Sequence, residues 1–279
     1  MKLARFDAGD GPKLGLVVGD TIAGIGQGDD VLGLISQWDS VKADIEASAK
    51  TSPRHAVSAV RLMAPVPRPG KIFAIGLNYA DHIAESKAET PACQVWFAKA
   101  VTAINGPNDP IEIARAGPFV DYEVELVVVI GKRGRNISRG EASTHVFGYC
   151  VGNDVTERAW QHRTSQWSLG KSFDTHAPIG PWITTADEIG DPHGLSVRCF
   201  VNGEKRQDSN TRHLVFTVWD QIEHLSQAMT LEPGDLIFTG TPGGVGAAMD
   251  PRQFLKPGDT VRCEIDRLGA IEATMRSAS

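Results

Sequence analysis

The amino-acid sequence predicts an α+β protein that is mainly β, with a small N-terminal domain. Beyond residue 70, segments typical of strands outnumber those typical of helices, and the helical segments do not alternate regularly with strands. That irregular order argues against a doubly wound sheet or a (β/α)8 barrel. A segment rich in proline, residues 65–70, opposes both helix and central strand. We therefore place a domain boundary there, between residues 1–65 and residues 66–279.

The first domain is predicted to begin with a small β-meander. Short strand-like segments at residues 2–6, 13–18 and 21–25 are separated by turns rich in glycine and aspartate. From residue 31 to about residue 50 the apolar side chains recur near a helical period, which predicts one or two short helices.

The second domain begins with a short apolar segment, residues 71–76, that suits a buried strand. Residues 80 to about 87 suit a helix. Residues 121–130 are dense in β-branched side chains, which favour a strand, and a further strand is predicted at residues 146–154.

Two later strands are each introduced by the tripeptide Pro-Gly-Asp. It occurs at residues 233–235 and 257–259, before strand-like segments at residues 236–238 and 260–263. Each Pro-Gly pair fits a type II turn, because proline fixes φ at the first central position and glycine accepts a positive φ at the second.

Composition narrows the class of partner. The chain has 28 Lys plus Arg against 34 Asp plus Glu, a net charge of −6, and no run of basic residues that would favour nucleic acid. Its start does not resemble a secretory signal, and no apolar stretch is long enough to span a bilayer. The four cysteines are widely separated, which argues against a zinc site or a disulfide framework. We expect a cytoplasmic protein that binds neither nucleic acid nor membrane.

An acidic pattern at residues 121–125 suggests a metal site. On a strand Asp121, Glu123 and Glu125 share one face, and Asp154 ends the next predicted strand. Buried carboxylates need a cation, a hydrogen-bond donor or a proton, and ligands that are all oxygen favour Mg²⁺, Mn²⁺ or Ca²⁺. On its own, a Glu-x-Glu pair more often marks the solvated face of an edge strand.

A series of motifs in a fixed order favours the metal site. They are Gly76-Leu77-Asn78-Tyr79 with His82 and Glu85, Phe97-x-Lys99, Asp121-Tyr122-Glu123-x-Glu125-Leu126, Ile130-Gly131-Lys132, Asn153-Asp154-Val155-Thr156 with Arg158, Gly170-Lys171-Ser172-Phe173-Asp174, Val201-Asn202-Gly203-Glu204, and Gly240-Thr241-Pro242. From residue 71 to about residue 269 the sequence thereby resembles the fumarylacetoacetate hydrolase family, in the branch of acylpyruvases and 2,4-diketo acid hydrolases.

This resemblance implies a mixed β-roll fold, a homodimer, and a small keto acid as substrate. It also implies a divalent metal, Mg²⁺ or Mn²⁺ with Ca²⁺ as a further candidate, held by Glu123, Glu125 and Asp154. Asp121 shares the strand face but is expected to support these ligands rather than bind the metal itself.

The expected acid–base groups are His82, Glu85 and Lys171. His82 and Glu85 lie three residues apart on a predicted helix, so the carboxylate can orient the imidazole, although such a pair alone is more often a surface contact. In hydrolases of the family the matching pair lies on a lid and activates a water. The resemblance places Lys171 near the metal, where it would donate to a substrate oxygen as negative charge develops.

Four further residues are expected to contact the substrate. Arg158 and Gln161 would share one face of a helix after Asp154, and the resemblance implies that they and Tyr79 contact substrate. The glycine-rich segment at residues 240–246 lacks the pattern of a nucleotide-binding loop. We expect its N–H groups and the Thr241 hydroxyl to approach an anionic end of the substrate, although a plain inter-strand loop remains an alternative.

Together these features predict a metal-dependent hydrolase that cleaves a carbon–carbon bond in an acylpyruvate or a sugar-derived 2,4-diketo acid. In this mechanism a water activated by His82 and Glu85 attacks the distal carbonyl. A decarboxylase of oxaloacetate-like acids or a keto–enol isomerase could use the same site. An alternative of another class is an inactive binding protein stabilised by the metal.

Overall fold

The computed structural model describes residues 1–26, 28–86 and 89–278. Within them the chain forms a twelve-stranded sheet, a five-stranded sheet and a two-stranded ribbon, with a few short helices. This architecture confirms the predicted fold class. None of the helices in those ranges combines the length and apolar character needed to cross a bilayer.

The strands are β1 (Lys2–Asp7), β2 (Pro12–Val18), β3 (Thr21–Gly24), β4 (Arg54–Ala56), β5 (Arg61–Met63), β6 (Ile72–Gly76), β7 (Val95–Ala98), β8 (Ile104–Asn105), β9 (Ile111–Ile113), β10 (Val120–Asp121), β11 (Val124–Ile130), β12 (Val146–Asn153), β13 (Thr156–Glu157), β14 (Ala177–Thr185), β15 (Ser196–Val201), β16 (Glu204–Asn210), β17 (Leu236–Phe238), β18 (Thr260–Ile265) and β19 (Gly269–Ser277). The α-helices are α1 (Val31–Ser36), α2 (Trp38–Thr51), α3 (Ala80–Glu85), α4 (Arg158–Gln161), α5 (Ala186–Ile189) and α6 (Val218–Ala228). Short 3-10 turns occur at Val57–Ala59, Val101–Ala103, Ala142–His145, Trp167–Leu169, Thr211–His213 and Gly246–Ala248.

The large sheet joins the two parts of the chain. Its strand order is β4-β3-β2-β1-β14-β12-β11-β17-β6-β7, with β5 beside β1 and β8 beside β14. Strand β1 pairs antiparallel with β14, so that Lys2 lies opposite Thr184. The N-terminal meander is therefore continuous with the sheet of the second part. The domain boundary at residues 65–70 remains a prediction.

Strand β11 lies in the middle of the large sheet, between β12 and β17. All seven of its residues are buried, because its two faces contribute to two different apolar cores. Val124 and Leu126 belong to one core, whereas Val127 and Val129 belong to the other. Burial on both faces explains why this segment is almost continuously β-branched. Glu125 is therefore a charged residue in an otherwise apolar buried strand.

The single strand predicted at residues 121–130 is interrupted in the structure. Residues 120–121 pair with β13, and the pairing with β12 begins only at Val124. At the break, the N–H of Glu123 donates to Oδ1 of Asn153 (2.9 Å), and the N–H of Asp154 donates to the carbonyl of Glu123 (2.8 Å). Hydrogen bonds to a side chain and to a loop thus replace the regular ladder, and they hold Glu123 and Asp154 side by side.

The helices and turns described next agree with those predicted from the sequence. Two helices, α1 and α2, occupy the predicted helical region, and α3 covers residues 80–85, whereas the predicted end at Lys87 lies outside the described residues. Gly234 and Gly258 have φ values of +85° and +94°, the conformation that the two Pro-Gly turns require.

Candidate active site

Three buried carboxylates come together where β11 begins and β12 ends. Glu125 lies on β11, Glu123 immediately precedes that strand, and Asp154 immediately follows β12. One oxygen from each lies within 4.8 Å of the others, and all three residues are at most 4% exposed. The grouping expected from the sequence is thus present in the fold.

Cationic side chains engage two of these three carboxylates. Lys171 Nζ donates to Oε2 of Glu123 and to Oδ2 of Asp154, both at 2.6 Å. Arg158 Nη1 lies 2.7 Å from Oε1 of Glu123, and Lys99 Nζ donates to Oδ1 of Asp154 at 2.5 Å. Lys99 also donates to the main-chain carbonyl of Lys171. Both oxygens of Glu123 and of Asp154 therefore already face a positive charge.

Glu125 is the carboxylate whose charge is least compensated. Its Oε2 accepts the N–H of Gly240 at 2.7 Å, and it forms no ion pair in the described part of the chain. Burial, followed by the charges of Asp154 and Glu123, raises its pKa well above the ordinary value. Burial acts on Glu123 in the same direction, but Lys171 and Arg158 outweigh it and lower the pKa of Glu123.

A hard divalent cation fits this donor set. Four buried carboxylates, counting Asp121 with the three ligands, face the three cations Lys99, Arg158 and Lys171. One negative charge is therefore left over, on oxygen ligands of the kind that Mg²⁺ and Mn²⁺ prefer. Binding such an ion would keep Glu125 ionised and would remove the like-charge repulsion.

Asp121 supports the site without joining the triad. Its carboxylate accepts hydrogen bonds from the N–H groups of Gly246 (2.8 Å) and Ala247 (2.9 Å), and from Nε of Arg158 (2.9 Å). Asp121 thereby fixes the guanidinium that in turn contacts Glu123, as expected for a residue that supports the ligands.

Lys171 is held in place by its two carboxylate partners and by an aromatic ring. Its Nζ lies 4.9 Å from the centre of the Phe97 ring. Burial alone would lower the pKa of Lys171, but Asp154 and Glu123 outweigh burial and raise it. Because an ammonium has three N–H donors and two are used, one remains for a molecule in the adjoining cavity.

His82 and Glu85 lie on α3, which we call the lid helix. Nδ1 of His82 is 3.5 Å from Oε2 of Glu85 and makes no hydrogen bond within residues 1–26, 28–86 and 89–278. Both oxygens of Glu85 lie 3.0 Å from the N–H of Gly244, and Asp81 accepts the N–H of Gly243 at 3.3 Å. Hydrogen bonds therefore connect the lid helix to the glycine-rich segment, and His82 lines the cavity.

The glycine-rich segment does not offer the substrate the donors that the sequence suggested. Its N–H groups bind protein carboxylates, as follows: Gly240 to Glu125, Gly243 to Asp81, Gly244 to Glu85, and Gly246 and Ala247 to Asp121. Gly240 and Gly244 have φ values of +99° and +100°, which turn the backbone toward these partners. Thr241 lines the cavity, and its hydroxyl donates to the carbonyl of Val124 (3.0 Å) and accepts from Gln207 (2.8 Å), so its expected contact with substrate remains a prediction.

Tyr79 is not brought to the cavity, which corrects the expected substrate contact. It precedes the lid helix, is fully buried in an apolar core, and is not among the residues that line the cavity. Its hydroxyl has no hydrogen-bond partner within the described ranges. Burial, followed by the charge of Glu125, raises its pKa. Tyr79 belongs to the motif of residues 76–79, but its side chain packs in the apolar core.

Arg158 and Gln161 lie at the two ends of α4 and form one unit. Arg158 is engaged by Asp121 and Glu123, and its Nη1 also donates to Oε1 of Gln161 at 3.0 Å. Arg158 therefore orients carboxylates of the protein, and because it also lines the cavity its expected contact with substrate remains a prediction. Because Gln161 uses its oxygen for this bond, its amide nitrogen is the end available to the cavity.

These groups surround one cavity of about 400 Å³, a size typical of sites for small molecules. Among its lining residues are Glu123, Glu125, Lys171, His82 and Gln161. Other lining residues carry no family motif and were missed from the sequence, namely His162, Arg252 and Phe254. Only the folded backbone brings the segment around residue 252 to this cavity, so no local pattern could have revealed it.

Fold and site together define the class of protein, a mainly β enzyme with a carboxylate cluster suited to a divalent cation. The chain belongs to the fumarylacetoacetate hydrolase family. The family model of the fumarylacetoacetate hydrolase C-terminal domain matches residues 71–276, and a model described as Rv2993c-like, N-terminal, matches residues 1–65.

Three relatives illustrate the range of activities in the family. A mitochondrial oxaloacetate tautomerase of Xenopus laevis is 48% identical over 228 residues, which cover 80% of this chain and 72% of that protein. The structure of maleylpyruvate hydrolase from Sphingobium sp. SYK-6, in complex with manganese(II) and pyruvate, is 35% identical with a TM-score of 0.86, and covers 100% of both chains. The 2-hydroxyhepta-2,4-diene-1,7-dioate isomerase of Mycobacterium marinum is 31% identical with a TM-score of 0.80, and covers 100% of this chain and 99% of the other.

Proposed function

We propose that this protein is a metal-dependent enzyme that interconverts the keto and enol forms of a 2-keto acid of the oxaloacetate type. The observation that carries the proposal is that one cavity brings residues of the carboxylate triad and Lys171 together with the imidazole of His82. Enolisation needs these two functions, a positively charged group at the keto oxygen and a base at the neighbouring carbon. The similarity to an oxaloacetate tautomerase favours this reaction over hydrolysis, which the sequence alone had favoured.

The metal site of this proposal consists of Glu123, Glu125 and Asp154. A bound divalent cation would supply a Lewis acid for the keto oxygen of the substrate. We propose Mg²⁺ or Mn²⁺, and the manganese(II) in the Sphingobium relative supports the choice of an ion that accepts oxygen ligands.

The residues of this chain would then move one proton. His82 accepts a proton from the carbon next to the keto group, and Glu85, whose Oε2 lies 3.5 Å from Nδ1 of His82, stabilises the imidazolium that forms. Lys171 donates its remaining N–H to the keto oxygen as negative charge develops there. The amide nitrogen of Gln161 donates to a substrate oxygen. Return of the proton from His82 to oxygen or to carbon yields the enol or the keto form.

Hydrolysis of a carbon–carbon bond is the second candidate, because the same base could act on water. In that reaction His82 and Glu85 activate a water that attacks the distal carbonyl of a 2,4-diketo acid. The similarity to maleylpyruvate hydrolase, which covers 100% of both chains, favours this candidate.

Parallel assays on the purified protein separate these reactions. Loss of the enol form of oxaloacetate is followed by absorbance, pyruvate release reports decarboxylation, and an acylpyruvate reports hydrolysis, each with Mg²⁺, with Mn²⁺ and after chelation. We expect metal-dependent tautomerisation without pyruvate release. Acylpyruvate cleavage with no effect on oxaloacetate would favour the hydrolase, whereas no turnover of either compound would favour a binding protein.

The homodimer and the cytoplasmic location remain predictions. Light scattering on the purified full-length chain gives its mass in solution, and a mass of one chain would contradict the dimer that the family resemblance implies.

A further inference from the structure

The cavity carries one cationic side chain that the catalytic groups do not use. Arg252 lines the cavity, is exposed at its mouth, and forms neither an ion pair nor a side-chain hydrogen bond within the described residues. The other two cationic residues of the lining, Arg158 and Lys171, each contact two carboxylates. Arg252 is therefore the guanidinium that remains available to a molecule in the cavity.

Main-chain hydrogen bonds and an aromatic contact hold the segment that follows Arg252 in place. The N–H of Gln253 donates to the carbonyl of Gly246 at 3.0 Å, and the N–H of Leu255 donates to the carbonyl of Val120 at 2.8 Å. The ring of Phe254 meets that of Phe119 edge-on, with 5.2 Å between their centres. A side chain on an anchored segment loses less conformational freedom when it binds a ligand, so Arg252 is placed to recognise one.

The neighbours of Arg252 make this end of the cavity suitable for an anion. His162, which follows α4, also lines the cavity, and its pKa is lowered by burial and then by the charges of Arg158 and Arg252. A neutral imidazole can still donate one N–H. The acidic residues of the lining are Glu85, Glu123 and Glu125, and each has a partner described above. None of them forms an ion pair with Arg252 in the described structure.

Apolar side chains also line the cavity. Val245, Ala247 and Ala248 line the cavity on the segment that runs from the glycine-rich turn toward Arg252. The polar lining therefore includes the glutamates of the carboxylate triad with Lys171, and also Arg252 with His162. A ligand that contacts both groups carries two oxygen-rich groups joined by a short carbon chain.

We propose that Arg252, with His162 beside it, binds a second carboxylate, so that the preferred substrates are 2-keto dicarboxylic acids rather than 2-keto monocarboxylic acids. The reaction at the keto end rests on the proposed function, whereas the carboxylate site is a separate property of the cavity. Arg252 recognises the substrate and takes no part in proton transfer. A guanidinium suits this task because it donates two parallel hydrogen bonds to a carboxylate.

The inference can be tested by binding, without turnover. Malate and 2-hydroxybutyrate have the same carbon count and the same hydroxy acid end, but only malate carries a second carboxylate. Calorimetric titration of each compound into the full-length protein with saturating Mg²⁺ gives the preference for that carboxylate. The variant is Arg252→Gln, and the control is Arg163→Gln, an exposed arginine that stacks on Trp160 and does not line the cavity.

We expect the unaltered protein to bind malate about tenfold more tightly than 2-hydroxybutyrate, the effect of one charged hydrogen bond at a partly exposed site. Arg252→Gln should remove most of this preference and leave the affinity for 2-hydroxybutyrate unchanged, whereas Arg163→Gln should leave both affinities unchanged. Equal affinities in the unaltered protein, no malate binding, or equal losses of both ligands in Arg252→Gln would overturn the inference. Preferential malate binding by a protein without tautomerase activity would refute only the proposed function.

Discussion

Replacing Glu125 by glutamine should make the metal-free protein more stable and abolish its stabilisation by metal. In the structure Glu125 is 1% exposed, and its oxygen lies within 4.8 Å of oxygens of Glu123 and Asp154. Glu123 and Asp154 have cationic partners of their own, whereas the partner of Glu125 within the described residues is the N–H of Gly240. The glutamine oxygen can accept the same N–H, so the substitution removes a charge and keeps the hydrogen bond.

The size of the effect follows from Coulomb's law. Two unit charges no more than 4.8 Å apart repel by at least roughly 3.5 kcal/mol at an effective dielectric constant of about 20. Glu125 has two such neighbours, but Lys171 opposes them, and uptake of a proton by Glu125 limits the cost. We therefore expect Glu125→Gln to gain about 1–3 kcal/mol in the free energy of unfolding, or about 2–6 °C in Tm.

The pH dependence has a definite sign. In the folded protein the pKa of Glu125 is raised well above 4.5, so the folded state holds this proton at pH values where the unfolded chain has lost it. Stability of the metal-free protein should therefore fall as pH rises from about the ordinary value through the raised pKa. The glutamine variant should not show this contribution.

Thermal unfolding followed by circular dichroism, after chelation and again with excess Mn²⁺, measures both effects. Mn²⁺ at a hundredfold excess over its Kd should stabilise the unaltered protein by about 2.7 kcal/mol in the free energy of unfolding and so raise its Tm. It should not raise the Tm of Glu125→Gln. The exposed Glu46→Gln serves as the control and should behave as the unaltered protein. A glutamine variant that is less stable without metal, or that Mn²⁺ stabilises fully, would refute the reasoning.

Three further predictions concern other parts of the molecule. His82→Ala should lower turnover in steady-state assays by about 10²–10⁴-fold and leave the affinity for Mn²⁺ unchanged. The control variant His55→Ala should change neither quantity. Full activity of His82→Ala would exclude His82 as the base. Lys99→Met leaves one oxygen of the buried Asp154 without its cation. The free energy of unfolding, measured with urea, should therefore fall by about 3 kcal/mol. Unchanged stability would contradict the role of Lys99. Burial lowers the pKa of His176 from 6.5 to about 4. The unfolded chain therefore takes up this proton first, and stability should fall by up to about 3 kcal/mol as pH drops from 6.5 to 4. A His176→Gln variant with the same slope over that range would show that another group is responsible.

Short-range patterns predict the strands and suggest the carboxylate cluster, whereas the choice of the three ligands rests on the family resemblance. Alternation along residues 121–125 placed Glu123 and Glu125 on one face, and the next predicted strand ended at Asp154. The interruption of the strand at residues 122–123 could not be foreseen, because it depends on the side chain of Asn153 from a neighbouring strand.

The sequence does not predict the protein partners that engage the expected substrate-binding side chains. Thr241 looked available to substrate until Gln207 and the carbonyl of Val124 were found to occupy its hydroxyl. Arg158 looked free until Asp121 and Glu123 were found beside it. Whether a polar side chain faces a ligand or another part of the protein depends on contacts between segments, and a single sequence does not display them.

The existence of the metal site is the claim on which the proposed chemistry depends, and stoichiometric Mn²⁺ binding tests it most directly. Calorimetric titration of the chelated full-length protein should give one Mn²⁺ per chain. The isosteric variants Glu123→Gln, Glu125→Gln and Asp154→Asn should each lose this binding while they remain folded by circular dichroism. No Mn²⁺ binding by the unaltered protein, or unchanged binding in all three variants, would contradict the assignment of these carboxylates as the metal site.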